Sequence, residues 1–364
     1  MRIAMFCSGR FPTPLKDEKI IYAPLAITSV LADGLAKKGH KVHLFGAEGS
    51  FSKAKIETLG LPPLRKNRVL ASSVNIEDPR IVNFYEQIFI SEIYRRANKG
   101  DFDIVHIHPV DAALPLSALS KTPTVFTLHD PISPWRKFIY SRYKDRKNLY
   151  YISISKAQQK PLKSLNYAAN IYHGLDLKKY PFEEKPDDYY LIASRLIPQK
   201  GVDIAVKIAR DLQIPLKIAG DRPDEKYWNV KIKPYLGGKI EYIGFVPPKE
   251  MPTLYSKAKA FLFPLQWEEP FGLVMAEAQA CGTPVVAFRR GSAPELVQNG
   301  KTGFVVNPLD ESGEINYKGF SEAIKNIEKI SRRQCRKRME ENFSLEKMIN
   351  EHEKTFLKIV RKKI

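Results

Sequence analysis

The stretch Phe263–Gly282, FPLQWEEPFGLVMAEAQACG, says more about the fold than any other part of the chain. It predicts a buried strand that ends at Pro264, then a loop, then a helix over about Phe271–Cys281. A proline disfavours helical geometry in the residue before it, so Pro270 places Glu269 in the loop. Glu269 is therefore expected at the carboxyl end of a strand, where open α/β sheets bind their ligands.

A second carboxylate, Glu277, lies inside the predicted helix, where nearly all other residues are apolar. Such a helix packs closely around most of its circumference, and a buried carboxylate needs a partner. Two interpretations stay open: a pairing with a structural arginine or backbone amides, or hydrogen bonds to ligand hydroxyls such as those of a ribose. The helix start at Phe271 and Gly272 also offers free N–H groups and a positive dipole end to a diphosphate.

The stretch Ser194–Gly201, SRLIPQKG, leaves another predicted strand and enters another predicted helix. Arg195 and Lys200 would then lie near the same sheet edge as Glu269. An arginine can bind a phosphate through two parallel hydrogen bonds, and a lysine adds a point charge. Surface arginines and lysines are common, so this stretch gains its weight from its place beside Glu269.

Short apolar runs alternate with helical patterns along almost the whole chain, which predicts parallel sheets with right-handed crossovers. The polar, proline-containing stretch Lys178–Asp188 interrupts this alternation and is interpreted as a linker between two doubly wound, Rossmann-like α/β domains. Neither half carries GxGxxG after its first strand, which argues against an ordinary NAD domain. The predicted strands are Arg2–Cys7, Lys41–Gly46, Ile104–His108, Thr124–Leu128, Leu149–Ile154, Asn170–Tyr172, Tyr189–Ser194, Leu216–Ala219, Ile240–Gly244, Ala260–Pro264, Pro284–Phe288 and Phe304–Val306.

The composition is that of a globular protein with a strongly basic balance. Hydrophobic residues make up 43 % of the 364 residues, charged residues 27 %, and the formal net charge is +19. This charge favours anionic partners such as nucleotide diphosphates, anionic lipids or nucleic acids, while a solvated surface with no specific partner stays open. The first residues read as a strand and not as a signal peptide, and the three cysteines form no metal-ligand pattern, so a cytoplasmic protein without a metal site is expected.

At this point the chain resembles a known family. Glu269 and Glu277, with seven residues between them, resemble the E-x7-E signature of retaining glycosyltransferases of family 4, which have the two-domain GT-B fold. The resemblance implies Rossmann-like domains over 1–175 and 176–343 that face each other across a cleft, and a C-terminal helix over 344–364 that returns to the first domain. Further stretches that resemble the family are Ser194-Arg195 with Lys200-Gly201, Gly291–Glu295 with Gly300-x-x-Gly303-Phe304, and His173-Gly174-x-Asp176.

The resemblance also implies roles on the donor side. Arg195 and Lys200 would neutralise the diphosphate of a nucleotide-sugar donor, so no metal and no other cofactor is expected. Glu277 would hold the ribose, and Glu269, a catalytic candidate, would hold sugar hydroxyls together with the backbone of Phe271–Leu273. The implied reaction moves a hexose to an acceptor hydroxyl with retention of configuration, by attack on the front face of the sugar.

On the acceptor side, Thr127-Leu128-His129-Asp130 resembles the strand end that brings a histidine close to the donor sugar, which makes His129 the second catalytic candidate. His108 ends a neighbouring predicted strand, and Tyr22 lies in the loop before the first helix. Both are acceptor-side candidates, and the acceptor is expected to be a lipid or a carbohydrate. The family usually carries a glycine pair in that loop, where this chain has Tyr22-Ala23-Pro24.

The stretch Pro134–Lys147, PWRKFIYSRYKDRK, interleaves aromatic and basic residues in the N-terminal half. A basic amphipathic surface of this kind binds anionic bilayers, which predicts peripheral contact with the inner face of a membrane. The alternative is an ordinary helix whose aromatic residues pack on its own domain. The residues proposed to insert are Trp135, Phe138, Ile139, Tyr140 and Tyr143, and the proposed cations are Arg136, Lys137, Arg142, Lys144, Arg146 and Lys147.

Other functions stay open on the sequence alone. A non-catalytic relative that only binds a nucleotide sugar would share these motifs. An α-glucan phosphorylase or a sugar-nucleotide epimerase would share the fold, although no lysine site for pyridoxal phosphate is evident. A basic nucleic-acid-binding protein would account for the charge, but the basic residues are scattered and no nucleic-acid module is found, so no nucleic acid is expected.

Overall fold

A computed structural model describes residues 1–15, 20 and 22–361. The chain divides into two compact units, Met1–Tyr172 together with the C-terminal residues from Glu346 on, and His173–Leu345. The division lies just before the predicted boundary at residue 175, and the stretch interpreted as a linker belongs to the second unit. Each unit is a parallel sheet accompanied by helices, so the predicted pair of Rossmann-like α/β domains is confirmed.

The first unit contains seven parallel strands in the order β3-β2-β1-β4-β5-β6-β7. The order reverses between β1 and β4, so the carboxyl ends of these two strands flank a crevice of the kind in which α/β sheets bind ligands. The strands are β1 (Arg2–Phe6), β2 (Lys41–Phe45), β3 (Lys55–Glu57), β4 (Ile104–Ile107), β5 (Thr124–Thr127), β6 (Leu149–Ser153) and β7 (Tyr167–Asn170). The helices that begin in this part of the chain are α1 (Ala23–Lys37), α2 (Arg68–Ser73), α3 (Pro79–Asn98), α4 (Val110–Ser117), α5 (Pro134–Ser141) and α6 (Lys156–Gln159).

The second unit contains six parallel strands in the order β10-β9-β8-β11-β12-β13, with the reversal between β8 and β11. Every residue of β11 and β12 is buried, as expected for strands that are covered on both faces. The strands are β8 (Tyr190–Ala193), β9 (Leu216–Ala219), β10 (Ile240–Gly244), β11 (Ala260–Phe263), β12 (Val285–Phe288) and β13 (Gly303–Val306). The helices are α7 (Val202–Leu212), α8 (Glu225–Tyr227), α9 (Met251–Lys257), α10 (Leu273–Ala280), α11 (Ala293–Leu296), α12 (Tyr317–Lys325) and α13 (Arg332–Asn342), and α14 (Leu345–Arg361) follows.

The two edge strands of the first sheet differ from the prediction. β7 covers Tyr167–Asn170 and not Asn170–Tyr172, and β3 is absent from the predicted set. An edge strand has one neighbour only, and the residues of both strands are half-buried or exposed. Neither strand therefore carries the buried apolar run by which the other strands were recognised.

The C-terminal helix α14 belongs to the first unit from Glu346 onward, as the GT-B resemblance implies. It packs on α1 at Gly34, where a Cβ atom would overlap the side chain of Ile349. Glu353 accepts a hydrogen bond from His40 at 2.8 Å and forms an ion pair with Lys38 at 2.8 Å. The helix is thus held to this unit by close apolar packing at Gly34 and at His106, where Phe356 contacts the ring, and by the contacts of Glu353 with His40 and Lys38.

Helix α5 carries the predicted aromatic and basic surface but is shorter than the stretch, since it ends at Ser141. Tyr140 was wrongly expected at the surface, because it is buried and donates a hydrogen bond to Asp111. Arg136 is tied to Asp111 and Asp130 by ion pairs of 2.8 and 2.9 Å, which removes it from the group of free cations. Trp135 and Phe138 remain 54 and 59 % exposed.

Within residues 1–15, 20 and 22–361, none of the helices combines the length and the apolar composition that a bilayer span requires.

Candidate active site

The candidate donor site lies where the strand order of the second sheet reverses. The loop after β8, Ser194–Gly201, and the loop after β11, Pro264–Gly272, leave the sheet at adjacent strands and at the same edge. Ligands of open α/β sheets bind in the crevice at such a point. Both stretches that the sequence singled out are therefore brought together here.

The two loops are joined through their backbones. Gln266 donates its N–H to the carbonyl of Gln199 at 2.9 Å. Gly201 has a φ of +67°, and a Cβ atom there would overlap the carbonyl of Pro264. Only glycine allows this approach, so Gly201 sets the distance between the loops.

Lys200 and Glu269 form an ion pair within this junction. Lys200 Nζ lies 2.5 Å from Glu269 Oε2, and the indole N–H of Trp267 donates to the same oxygen at 3.0 Å. The two side chains are only 13 and 12 % exposed, and the ammonium lies 4.8 Å from the centre of the Trp267 ring. The residues assigned to the diphosphate and to the sugar are thus in direct contact, and Glu269 holds the ammonium in a fixed position.

Arg195 differs from Lys200 in being exposed. Within the described part of the chain its guanidinium makes no ion pair and no hydrogen bond, although it follows β8 by only two residues. All five of its N–H donors are available to a ligand. A diphosphate at this sheet edge would therefore meet one free cation, Arg195, and one positioned cation, Lys200.

Glu277 lies on α10, and two phenols contact its carboxylate. The hydroxyl of Tyr180 donates to Oε1 at 3.3 Å, and the hydroxyl of Tyr255 donates to Oε2 at 3.2 Å. Burial raises the pKa of this carboxyl, and the two hydrogen bonds offset only part of the rise. Within the described ranges, neither an arginine nor a backbone amide, as the structural interpretation expected, contacts this carboxylate. Because Tyr180 and Tyr255 lie far from Glu277 in the sequence, no local pattern could reveal them.

Helix α10 begins at Leu273 and ends at Ala280, so the predicted start at Phe271 was two residues too early. The reason is Gly272, whose φ of +78° ends the loop in a left-handed conformation. The loop is also fixed from its far side, where Ser292 donates its N–H to the carbonyl of Glu269 at 2.9 Å. Gly291 donates its N–H to the side chain of Glu268 at 2.6 Å. The segment from Gly291 that resembles the family therefore holds the Glu269 loop.

The first unit carries two histidines at adjacent strand ends. His108 follows β4, His129 follows β5, and His108 Nδ1 lies 2.6 Å from His129 Nε2. One ring must donate and the other accept, so the pair cannot hold a proton on both of these nitrogens. Behind them His106 is buried, bonds Thr127 at 2.8 Å, and has its pKa lowered well below the usual value by burial. The two candidate histidines His108 and His129 are thus joined, whereas His106 belongs to the interior.

Two family models match consecutive parts of the chain, "Glycosyltransferase Family 4" over residues 28–179 and "Glycosyl transferases group 1" over residues 176–344. The chain belongs to glycosyltransferase family 4. The family resemblance and the fold class expected from the sequence are thereby confirmed.

Similar proteins agree with this assignment. A D-inositol 3-phosphate glycosyltransferase of Pseudarthrobacter chlorophenolicus is 27 % identical over 323 residues, which cover 76 % of each chain. The sucrose-phosphate synthase of Thermosynechococcus elongatus has a TM-score of 0.78 at 17 % identity and covers 100 % of both chains. Anabaena HepE in complex with UDP has a TM-score of 0.71 at 19 % identity and covers 98 % of this chain and 100 % of that one. With three other curated relatives, this family 4 chain aligns over only 29, 26 and 37 % of their length.

The departure in the first loop of this family 4 glycosyltransferase has a structural explanation. Ala23 and Pro24 are the first residues of α1, and Tyr22 precedes them as the N-cap residue. A proline in the first turn needs no N–H, because the N–H groups there have no partner within the helix. Pro24 therefore supports the helix start.

Trp267, Glu268, Tyr180 and Tyr255 are site residues that the sequence analysis missed. Trp267 and Glu268 directly precede Glu269, and an indole and a carboxylate in a loop at a strand end are the signal that could have marked them. Tyr180 lies in the stretch that the sequence analysis interprets as a linker, and a linker is not expected to contact the site.

Proposed function

We propose that this family 4 glycosyltransferase moves a hexose from a nucleotide-diphosphate sugar to an acceptor hydroxyl, with retention and without a metal ion. The observation that carries the proposal is that two cations lie at the reversal point of the second sheet. Arg195 is exposed and makes no ion pair with any described residue, and Lys200 is held in position by Glu269. This arrangement suits a diphosphate, since it supplies two positive charges at one sheet edge.

The donor would bind across the two loops. Its diphosphate would contact Arg195, Lys200 and the N–H groups at the start of α10, where the helix dipole is positive. Its ribose hydroxyls would donate to Glu277, whose carboxylate is already held by two phenols. Its sugar would lie against Glu269 and the backbone of Phe271–Leu273.

In the proposed reaction the bond between the anomeric carbon and the diphosphate oxygen breaks, and a bond to the acceptor oxygen forms on the same face of the sugar. The leaving diphosphate takes the acceptor proton, so this reaction requires no separate base. The protein would contribute positions and a fixed positive field, because Arg195 and Lys200 stabilise the charge that develops on the leaving group. His129 and Tyr22 would line the acceptor side.

Arg195→Ala tests the donor assignment. Loss of the guanidinium is expected to weaken nucleoside diphosphate binding about tenfold, ~1.4 kcal/mol, because charge-assisted hydrogen bonds to phosphate are lost. The fold should be unaffected, since the side chain is exposed and unpaired. Titration calorimetry with UDP, GDP and ADP measures the effect, and Arg210→Ala, an exposed arginine of α7, serves as the matched control.

The same preparations are assayed for hydrolysis and transfer with UDP-, GDP- and ADP-sugars in excess chelator. Equal affinity in the Arg195 variant and the unmodified protein would remove the site assignment. Activity that chelator abolishes and magnesium restores would contradict the metal-free proposal. Donor binding without hydrolysis or transfer would favour the non-catalytic alternative.

The acceptor side includes a surface that suits a lipid bilayer. Trp135, Phe138 and Ile139 are exposed and share one face of α5 by their spacing. The exposed cations beside them are Lys137, Arg142, Lys144, Arg146 and Lys147. We propose peripheral binding of this surface to anionic membranes, with a lipid acceptor or a carbohydrate borne on a lipid.

Sedimentation with vesicles tests this surface. The triple replacement of Arg142, Lys144 and Arg146 by alanine is expected to weaken binding to phosphatidylserine-containing vesicles about 100-fold, since each cation contributes ~1 kcal/mol. A triple replacement of Lys226, Lys231 and Lys233, which are exposed in the second unit, removes the same charge and should have little effect. Equal losses in both variants would indicate charge alone, and absence of binding at low salt would leave a soluble acceptor.

A further inference from the structure

Glu86 is a buried carboxylate that the donor chemistry does not use. It lies on α3, is only 6 % exposed, and accepts a hydrogen bond from the hydroxyl of Ser8 at 2.8 Å through Oε1. Its other oxygen, Oε2, makes no hydrogen bond within the described residues. Burying a carboxylate without hydrogen-bond partners costs free energy, so an Oε2 atom that accepts no hydrogen bond calls for an explanation.

Among the described residues, no cation compensates this carboxylate in a direct contact. Arg10 is the charged neighbour whose field lowers the pKa of Glu86, but its guanidinium contacts Glu77 at 2.6 Å instead. Burial is the larger effect and raises the pKa of Glu86 to about 7. Asp130, whose charge also raises the pKa of Tyr22, is paired with Arg136.

The packing around Glu86 is close and specific. Gly9 follows Ser8, and a Cβ atom at Gly9 would lie 2.7 Å from the ring of Phe89 and 3.1 Å from that of Tyr85. The loop after β1 therefore lies directly on α3 at the turn that carries Glu86. This places Ser8 beside Glu86, and the N–H of Arg10 donates to the Ser8 hydroxyl oxygen at 3.1 Å, which orients the hydroxyl.

The position of Glu86 matches that of a ligand group. Ser8 follows β1 by two residues, at the carboxyl end of one of the two strands that flank the reversal in the first sheet. Tyr22 lies nearby, since it packs against the apolar cluster of Cys7, Phe11 and Leu25, and Cys7 directly precedes Ser8. The charge of Glu86 also raises the pKa of Tyr22, after the larger effects of burial and Cys7. A phenol, a serine hydroxyl and a carboxylate thus lie together at the candidate acceptor side.

We infer that Glu86, Ser8 and Tyr22 form a subsite for the hydroxyl groups of a neutral polyol ring, the sugar or cyclitol ring of the acceptor. The inference rests on the proposed function and names the class of acceptor. Oε2 of Glu86 accepts a hydrogen bond from an acceptor hydroxyl, and the phenol of Tyr22 bonds a neighbouring oxygen. Among the described residues the charges here balance, since Glu77 pairs with both Arg10 and Arg65 and Glu86 adds the second carboxylate. The subsite therefore offers no net positive charge to an anionic group, which favours a neutral one.

The test uses Glu86→Gln in the full chain. Glutamine keeps the shape and an oxygen that accepts from Ser8, but it cannot offer a charged acceptor to the ligand. Transfer is measured as nucleoside diphosphate release in the presence of myo-inositol, methyl α-mannoside or methyl β-glucoside, against release to water alone. With the best of these acceptors, KM is expected to rise about tenfold or more, because a charge-assisted hydrogen bond is lost.

Two readouts separate this effect from a structural one. Release to water, which needs only the donor site, is expected to stay within about twofold. Thermal unfolding at pH 8 should not fall, since the raised pKa means that the ionised form of Glu86 opposes folding above its unfolded value, and glutamine removes this charge. Glu92→Gln is the matched control and should change neither, because Glu92, with a side chain 26 % exposed, pairs with Arg95 on the same helix.

The outcomes are distinct. A rise in acceptor KM with unchanged hydrolysis supports the subsite. Equal loss of transfer and hydrolysis, or no change in either, overturns it. Failure of all three polyols to stimulate release in a protein that hydrolyses the donor overturns the neutral-polyol class. Absence of donor hydrolysis in the unmodified protein is a failure of the proposed function and not of the subsite alone.

Discussion

Lys200→Ala is expected to lower kcat/KM for the nucleotide-sugar donor about 100- to 1000-fold, the largest effect of any single change at the donor site. The ammonium is held by Glu269 at 2.5 Å and faces the sheet edge at which the leaving diphosphate would develop charge. Its removal costs the transition state a positioned cation. It also leaves Glu269, which is 12 % exposed, with the indole of Trp267 as its partner.

Stability should change as well. Removal of the Lys200 ammonium leaves the largely buried Glu269 carboxylate without its cation. The free energy of unfolding is therefore expected to fall by about 1–3 kcal/mol. Lys207→Ala is the matched control, because Lys207 pairs with Asp211 at 2.7 Å on the exposed face of α7. Steady-state kinetics and urea unfolding measure both effects. A Lys200 variant with unchanged kcat/KM and lower stability would show that the pair is structural only.

Glu277→Ala is expected to weaken nucleoside diphosphate binding by one to two orders of magnitude, because a carboxylate that accepts from two ribose hydroxyls contributes through charge-assisted hydrogen bonds. The nucleoside without phosphate should lose a similar factor, and inorganic pyrophosphate should lose nothing. Titration calorimetry with UDP, uridine and pyrophosphate, or the corresponding set for the preferred base, therefore locates the effect at the ribose.

The control for Glu277 is Tyr255→Phe, which removes one phenol and keeps the carboxylate. It should lower stability by about 1 kcal/mol and leave nucleotide affinity within a few-fold. Burial raises the pKa of Glu277, so its contribution favours the folded state fully below the unfolded pKa and is lost as pH rises from that value through the folded pKa. Glu277→Gln should therefore gain stability, relative to the unmodified protein, as pH increases. Equal nucleotide affinity in Glu277→Ala and the unmodified protein would leave Glu277 a structural residue.

The sequence predicts the elements of the donor site well and their contacts poorly. The strand, the loop and the helix around Glu269 follow from an apolar run, one proline and an alanine-rich pattern, all of which are local signals. The start of α10 was placed two residues early because the left-handed conformation of Gly272 depends on its packing against Met275 and Glu269. The Lys200–Glu269 pair joins residues 69 positions apart, and only the register of β8 beside β11 brings them together.

The same distinction applies to the acceptor side. His129 and Tyr22 were selected by resemblance, and the strands that carry His108 and His129 are adjacent as the apolar runs suggest. Glu86 was not selected, because it is one charged residue in the middle of a long helix. Its burial comes from Ser8 and Gly9, which lie on another element. A carboxylate of this kind is recognised only when the tertiary structure is known.

The loop that carries Glu269 is tied down mainly by main-chain atoms. The hydrogen bonds Gln266 N–H to Gln199 carbonyl and Ser292 N–H to Glu269 carbonyl do not depend on the side chains of Gln266, Gln199 or Glu269. The path of the loop can therefore outlast changes in the side chains it presents. Variation at Trp267 can therefore change the surroundings of the Glu269 carboxylate while both main-chain hydrogen bonds stay in place, whereas Glu268 also holds the loop through the N–H of Gly291 and has less freedom to vary.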